Sequence, residues 1–201
     1  AGHEVIICDN LCNSSTESLD AIKTITGTRP RFYESDIRDK AAMRSILADN
    51  GIEAVIHFAG LKAVGESCAK PLAYYDNNIS GTVTLLEAMQ ETGCRTLIFS
   101  SSSTVYGTPQ KLPLTEEHPV GGVTNPYGRT KLMIERILAD VCAADQNFSA
   151  VCLRYFNPIG AHPSGLIGEN PNGIPNNLLP YVARVAAGVL KEVNVFGDDY
   201  P

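Results

Sequence analysis

Tyr127 and Lys131 stand four residues apart, directly after Asn125-Pro126. Proline suits the first turn of a helix, so the pair reads as a helix start, and residues four apart on a helix share a face. A lysine ammonium beside a phenol favours the phenolate and lowers its pKa from a reference of about 10. A phenol so placed can serve as a base near neutral pH. Upstream, the apolar Leu97-Ile98-Phe99 runs into Ser100-Ser101-Ser102-Ser103-Thr104-Val105-Tyr106-Gly107. Hydroxyls at a strand end, a tyrosine and a lysine together point to hydride-transfer chemistry on an alcohol. Alone the motif is weak. With eight tyrosines in the chain, a lysine four residues on arises readily by chance, and a solvated surface helix explains it as well. The neighbouring segments decide between the two.

Those segments alternate between short apolar runs and helical patterns. Val5-Ile6-Ile7-Cys8, Phe32-Tyr33, Ala54-Val55-Ile56-His57-Phe58, Leu97-Ile98-Phe99, Ala150-Val151-Cys152-Leu153 and Val193-Asn194-Val195-Phe196 read as strands. Leu19, Ile22 and Ile25 mark a short helix. Met43, Ile46 and Leu47 mark another, with Asp39 as its cap and Gly51 as its stop. Pro71 opens a long helix through Leu72, Tyr75, Ile79, Val83, Leu86 and Met89, the Tyr127 helix continues through Cys142, and Leu178 to Ala186 form a later one. Near-continuous apolar strands between helices imply a parallel sheet covered on both faces. Ligands of such sheets bind beyond the carboxyl ends of the strands. Polar groups gather there: Asp9-Asn10, Asp36-Ile37, Ala59-Gly60, Ser100 to Ser103, and Tyr155-Phe156-Asn157. Turn preference accounts for a single Asp or Asn, but not for the serine run or the tyrosine–lysine pair. From Asn157 to Pro175 the chain is rich in Pro, Gly and Asn without periodicity, which fits a binding lobe.

The net charge of −6 disfavours nucleic acid or an anionic membrane as main partner, and no apolar run reaches spanning length. Six cysteines form no C-x-x-C pair and the four histidines show no helical metal spacing, so no metal site is expected. Reduced cysteines inside apolar runs suit a cytoplasmic protein. Asp9 is placed to be the acid that takes the ribose hydroxyls about 20 residues after a glycine turn in dinucleotide folds. Only eight residues precede it. The expected fold is therefore α/β, a doubly wound, parallel, Rossmann-type sheet lacking its first strand and glycine turn, with part of a smaller C-terminal substrate-binding lobe. On this reading residues 1–156 form the dinucleotide domain, residues 157–201 begin the substrate region, and the polypeptide by itself is inactive.

The stretches Asp9-Asn10-Leu11-Cys12-Asn13-Ser14, His57 to Ser67, Tyr74 to Asn78, Ser100 to Gly107, Asn125 to Lys131, Arg154 to Gly165 and Gly173 to Leu178 resemble the extended short-chain dehydrogenase/reductase superfamily. Within it they are similar to the UDP-glucose 4-epimerase family. The resemblance implies an NAD-dependent isomerase that interconverts UDP-glucose and UDP-galactose by transient oxidation at sugar C4, as a homodimer. It implies Tyr127 as the base, assisted by Lys131 and Ser102. It implies cofactor contacts from Asp9, Asn10, Asn13, Ser14, Asp36, Ile37, Phe58, Ala59, Gly60, Lys62, Asn77, Ser100 and Tyr155, besides Tyr127 and Lys131. Substrate contacts would come from Lys62, Ser102, Tyr127, Asn157, Asn177, Leu178 and Phe196. Two alternatives are a nucleotide-sugar 4,6-dehydratase and a non-catalytic dinucleotide-sensing protein. The dehydratase needs an acid where Ser103 and Thr104 stand, and sensing relatives commonly lose the tyrosine or the lysine that are both retained here.

Overall fold

A computed structural model describes residues 2–169, 172–175, 177–195 and 197–198. It divides into two units, one of residues 1–10 and 31–156, the other of residues 11–30 and 157–201.

Among the described residues the strands all lie in the first unit: β1 (Ile6–Asp9), β2 (Arg31–Glu34), β3 (Ala54–His57), β4 (Thr96–Ser102) and β5 (Ser149–Tyr155). Each strand pairing is parallel, as the near-continuous apolar runs predict. The strands form two sheets, β1-β2 and β3-β4-β5. Among the described residues no strand joins β1 to β3.

Helix α2 (Lys40–Asp49) starts as expected at Asp39, whose carboxylate accepts from the Ala42 backbone N–H at 3.0 Å. The long helix predicted from Pro71 is not regular. A short α4 (Pro71–Tyr74) widens into a π-helical stretch over Tyr75–Ser80 before α5 (Gly81–Thr92) resumes. A preceding helix, α3 (Val64–Ala69), has too few apolar repeats to be read from sequence. After β4 a 3₁₀ turn (Ser103–Tyr106) leads by a long loop to α6 (Pro126–Ala144).

The core lies between one face of β3-β4-β5 and helices α2, α5 and α6. Met43, Leu47, Leu86, Met89, Leu97, Phe99, Ile134 and Leu138 form its centre. Each such side chain contributes about 1.5–3 kcal/mol by leaving water. On the other face of the sheet Ile56, Val151 and Leu153 remain exposed. Cover on both faces, expected from the apolar strands, is thus found on one face among the described residues. The alternation of exposed and half-buried residues along β5 records the asymmetry.

The second unit contains α1 (Glu17–Thr26) and α7 (Leu178–Ala186). Asn13 ties its two segments together, its carbonyl oxygen accepting from the Asn172 backbone N–H at 3.1 Å. Residues 193–195 are not a strand, contrary to the reading of that apolar run.

Candidate active site

The start of α6 builds the chemical centre. Asn125 caps it, its side-chain oxygen accepting from the Gly128 N–H at 2.8 Å, and Pro126 occupies the first turn. This fixes the direction in which Tyr127 and Lys131 leave the helix. Lys131 is buried, and its Nζ donates to the Ser100 carbonyl at 2.7 Å. The same nitrogen lies 4.8 Å from the Phe99 ring centre and 5.8 Å from that of Tyr127. Burial pushes the ammonium down to about 8, because an ion without water favours its neutral form.

The Tyr127 phenol is raised above its ordinary value. Burial is the larger cause, and a side-chain hydrogen bond with Ser102 pulls it partly back. Helical spacing alone predicts the opposite net shift. Dehydration of the half-buried phenolate outweighs what the Ser102 bond returns, and Lys131 Nζ stands 5.8 Å from the ring centre, bonded to the Ser100 carbonyl instead. Ser102 is itself buried, and its Oγ also accepts from the Thr104 N–H at 3.3 Å. Tyr155 lies beside it across the sheet, in register with Ser102. The structure therefore brings together Ser100, Ser102, Tyr127, Lys131 and Tyr155 at one strand end.

A buried polar layer supports this group. Asn78, in the π-helical stretch, donates to the Leu61 carbonyl at 3.0 Å and to Thr130 Oγ1 at 3.1 Å, and accepts from the Leu61 N–H at 2.8 Å. Thr130 in turn donates to the Tyr127 carbonyl at 2.7 Å. The Thr82 hydroxyl gives its single hydrogen to the Asn78 carbonyl at 2.6 Å. It must then accept from His57 Nε2, 2.9 Å away, which assigns the Nε2–H tautomer. Burial, and to a lesser extent Lys131, holds the His57 imidazole down to about 3.

The other expected cofactor residues sit at the ends of β1, β2 and β3. Asp9 ends β1. Asn10 donates to Asp36 Oδ2 at 3.0 Å, and Arg38 grips Asp36 through Nε at 2.9 Å and Nη2 at 2.8 Å. These hydrogen bonds hold the Asp36 carboxyl well below the usual carboxylate range. Arg38 reaches on to Asp76 at 2.5 Å. Ile37 is partly a packing residue: a Cβ added to Gly81 would lie 2.5 Å from its Cδ1. Phe58, Ala59, Gly60 and Lys62 occupy the exposed turn after β3. Asn77 donates to Asn78 Oδ1 at 2.9 Å.

The remaining predicted residues fall in the second unit. Asn13 makes the bond to Asn172 already described, and Ser14 is half-buried nearby in sequence. Asn157 is exposed. Asn177 donates to both Glu169 oxygens at 2.9 Å, and Leu178 opens α7 with an exposed side chain. Phe196 lies outside the described residues. Among the described residues no group of His, Cys, Asp or Glu is arranged to hold a metal, and no helix is long and apolar enough to cross a membrane.

Sequence reasoning gave no individual role to Asn78, Thr130, His57 and Thr82, nor to Ser101, Glu135, Arg154 and Tyr106. A signal existed for Glu135, which continues the four-residue spacing of Tyr127 and Lys131 on the same helix. Asn78 stood in the middle of an apolar helical pattern without a capping role, where asparagine is disfavoured unless its side chain finds a partner.

The chain is similar to known proteins over its whole length. The UDP-glucose 4-epimerases of Neisseria meningitidis serogroup B and of Bacillus subtilis are 61% and 60% identical to the chain over 201 residues. The chain is wholly covered in both alignments and spans 59% of the length of each relative. The crystal structure of UDP-glucose 4-epimerase from Bifidobacterium longum, in complex with NAD+ and UDP, superposes with a TM-score of 0.97 at 58% identity. That alignment covers 99% of this chain and 59% of the other. The enzyme from Stenotrophomonas maltophila gives a TM-score of 0.95 at 54% identity, over 100% of this chain and 59% of that one. The family-wide sequence pattern matches from residue 1 to residue 201, and the chain belongs to the NAD dependent epimerase/dehydratase family.

Proposed function

We propose that the protein carrying this chain interconverts UDP-glucose and UDP-galactose by oxidising and re-reducing the sugar at C4, with NAD as resident cofactor. The observation that carries the proposal is the Tyr127, Ser102 and Lys131 group at the end of β4, in a chain so similar to named UDP-glucose 4-epimerases.

The residues present suit a dinucleotide. A fixed carboxylate at Asp36, exposed turn backbone at Ala59-Gly60 and a buried ammonium offer the hydrogen-bond and charge partners that ribose, phosphate and nicotinamide need. The reading assigns Asp9, Asn10, Asn13, Ser14, Asp36 and Ile37 to its adenosine side. It assigns Phe58, Ala59, Gly60, Lys62, Asn77, Ser100, Lys131 and Tyr155 to the phosphates and nicotinamide. NAD held by these residues would supply the hydride acceptor for oxidation at sugar C4 and the hydride donor for the re-reduction.

The protein's own part is proton control and placement. Tyr127 Oη removes the proton of the 4-hydroxyl and gives it back in the second half of the cycle. Ser102 Oγ binds the same sugar oxygen and holds the phenol in line. Lys131 supplies positive charge on the phenol's side of the site, an effect that grows as water is displaced. Asn157, Asn177, Leu178 and Phe196, with Lys62, take the UDP-sugar. We read the assembly as a homodimer, supported by exposed apolar Val83 and Met133 on helix surfaces. A cytoplasmic location is supported by six free cysteines.

The test is turnover of UDP-galactose by the protein carrying this chain, beside its Tyr127→Phe variant. The variant keeps the ring and its packing but loses the proton carrier. Turnover should fall by on the order of 10²–10⁴ while NAD stays bound. Near-normal turnover in the variant removes Tyr127 from the role.

A further inference from the structure

Helix α6 carries a third functional position one turn beyond Lys131. Glu135 is side-on to the strand end, and its side chain is 9% exposed. Its carboxylate meets three elements at once. Ser101, on β4, donates to Oε1 at 2.5 Å. Arg154, on β5, donates to the same oxygen through Nε at 3.0 Å and to Oε2 through Nη2 at 2.8 Å. Arg154 spends its remaining nitrogen, Nη1, on the Tyr106 hydroxyl at 3.1 Å, and its guanidinium stacks 4.9 Å from that ring. Tyr106 ends the 3₁₀ turn that follows Ser102.

Two of the partners are chain neighbours of groups at the chemical centre. Ser101 lies between Ser100, whose carbonyl holds Lys131, and Ser102, which holds the phenol. Arg154 immediately precedes Tyr155 on the neighbouring strand. A forked arginine–carboxylate pair fixes distance and angle together. Partly buried as it is, such a pair contributes little net stability, and its value lies in the geometry it imposes.

We infer that Glu135 is a positioning residue: with Arg154 and Ser101 it clamps α6 to β4 and β5 so that Tyr127 and Ser102 stay within hydrogen-bond reach of one oxygen. The inference rests on the proposed epimerase reading. It makes Glu135 necessary for turnover although its carboxylate is bonded to Ser101 and Arg154.

The clamp has a signature that packing alone lacks. The Ser102 bond lowers the phenol's pKa, so loosening it raises that value. The titratable and charged groups near the phenol are Lys131 on α6 and Tyr74 on α4, itself bonded to Glu66 on α3. None of these is altered by changing Glu135, and the lost carboxylate and the Arg154 cation left beside it both favour the phenolate, so an upward shift would report the loosened Ser102 bond and not the changed charge.

The experiment uses Glu135→Gln in the protein carrying this chain. Glutamine keeps the shape and one acceptor but cannot accept from both Arg154 nitrogens and Ser101. Displacements of about 1 Å at a reacting group cost on the order of 10²-fold. Expected are a 10- to 100-fold lower kcat, little change in KM for UDP-galactose, and an acid limb of the kcat–pH profile moved to higher pH. Without substrate, the Tyr127 titration, read as the ultraviolet difference between this variant and the same variant carrying Tyr127→Phe, should move up in pH as well. If Glu135→Gln does not fold, Ser101→Ala decides. It keeps the Arg154 pair, cuts the link to β4, and should give smaller shifts of the same sign. A folded variant with unchanged kcat and unchanged Tyr127 titration overturns the inference. An unmutated protein that fails to turn over UDP-galactose overturns the epimerase reading instead, while the Tyr127 titration still judges the clamp.

Discussion

Lys131 is the residue at which stability and chemistry pull in opposite directions. Its ammonium is buried with one carbonyl for company, and its pKa falls from 10.5 to about 8. The unfolded chain therefore binds more protons than the folded one between those values, and stability rises with pH across that window. Below about pH 8 the folded protein carries the full cost of the buried charge. That fall from 10.5 to about 8 is worth roughly 3 kcal/mol. Lys131→Met has no such titration. Denaturant melts at several pH values should show the unmutated protein gaining about 3 kcal/mol on the variant between pH 8 and 10.5. A constant gap would mean that the ammonium is solvated. The tyrosine, the lysine and the serine run were legible in sequence because their spacing is local. The sign of the phenol's shift was not, because dehydration depends on what the fold stacks over the ring.

At the level of elements, the contact between the N-terminus of α6 and the turn after β4 decides whether the chemical groups meet. Gly128 is the reason these elements can approach. A Cβ there would lie 2.5 Å from Val123 Cγ1, 3.2 Å from Thr104 Oγ1 and 3.3 Å from Thr104 Cβ. Gly128→Ala should push the helix start off the 3₁₀ turn by a few tenths of an ångström or more. Helix propensity favours alanine by about 1 kcal/mol, so thermal stability should change little while turnover of UDP-galactose falls by roughly 10²-fold. Full activity in Gly128→Ala would show that the contact is slack. Periodicity and apolar runs identified α2, α6 and the five strands β1 to β5, because each buries apolar side chains. Periodicity took Pro71 through Met89 for one regular helix because Leu72, Ile79, Val83 and Leu86 recur at helical spacing in the sequence, whereas the structure widens over Tyr75–Ser80. The wider turn shows in what it allows: Asn78 turned inward to bind Leu61 and Thr130.

Across the whole molecule, long-range order is the part sequence hides most. Asn13 and Asn172 bond although 159 positions separate them, which groups residues 11–30 with the C-terminal segment. No local pattern encodes such a pairing. The same holds for the buried layer that joins β3, α5, the π-helical stretch and α6 through His57, Thr82, Asn78 and Thr130. This layer sets how the molecule meets acid. His57 is almost fully enclosed, donates through Nε2 to Thr82, and keeps its pKa down to about 3 against an ordinary 6.5. A depressed histidine charges first in the unfolded chain. Its contribution is therefore complete above pH 6.5 and drains away as pH falls toward 3. At roughly pH 5 the loss from this one residue is about 2 kcal/mol, a large share of a typical domain stability of about 5–15 kcal/mol. His57→Gln retains a donor for Thr82 and cannot be protonated, so it should be less stable than the unmutated protein at neutral pH, by the packing it gives up, yet lose less on acidification. The two stability curves should converge below pH 6.5, and that convergence, measured by denaturant melts, is the signature of a buried neutral imidazole. Parallel curves would place the imidazole in contact with water and break the chain of bonds from β3 to Tyr127.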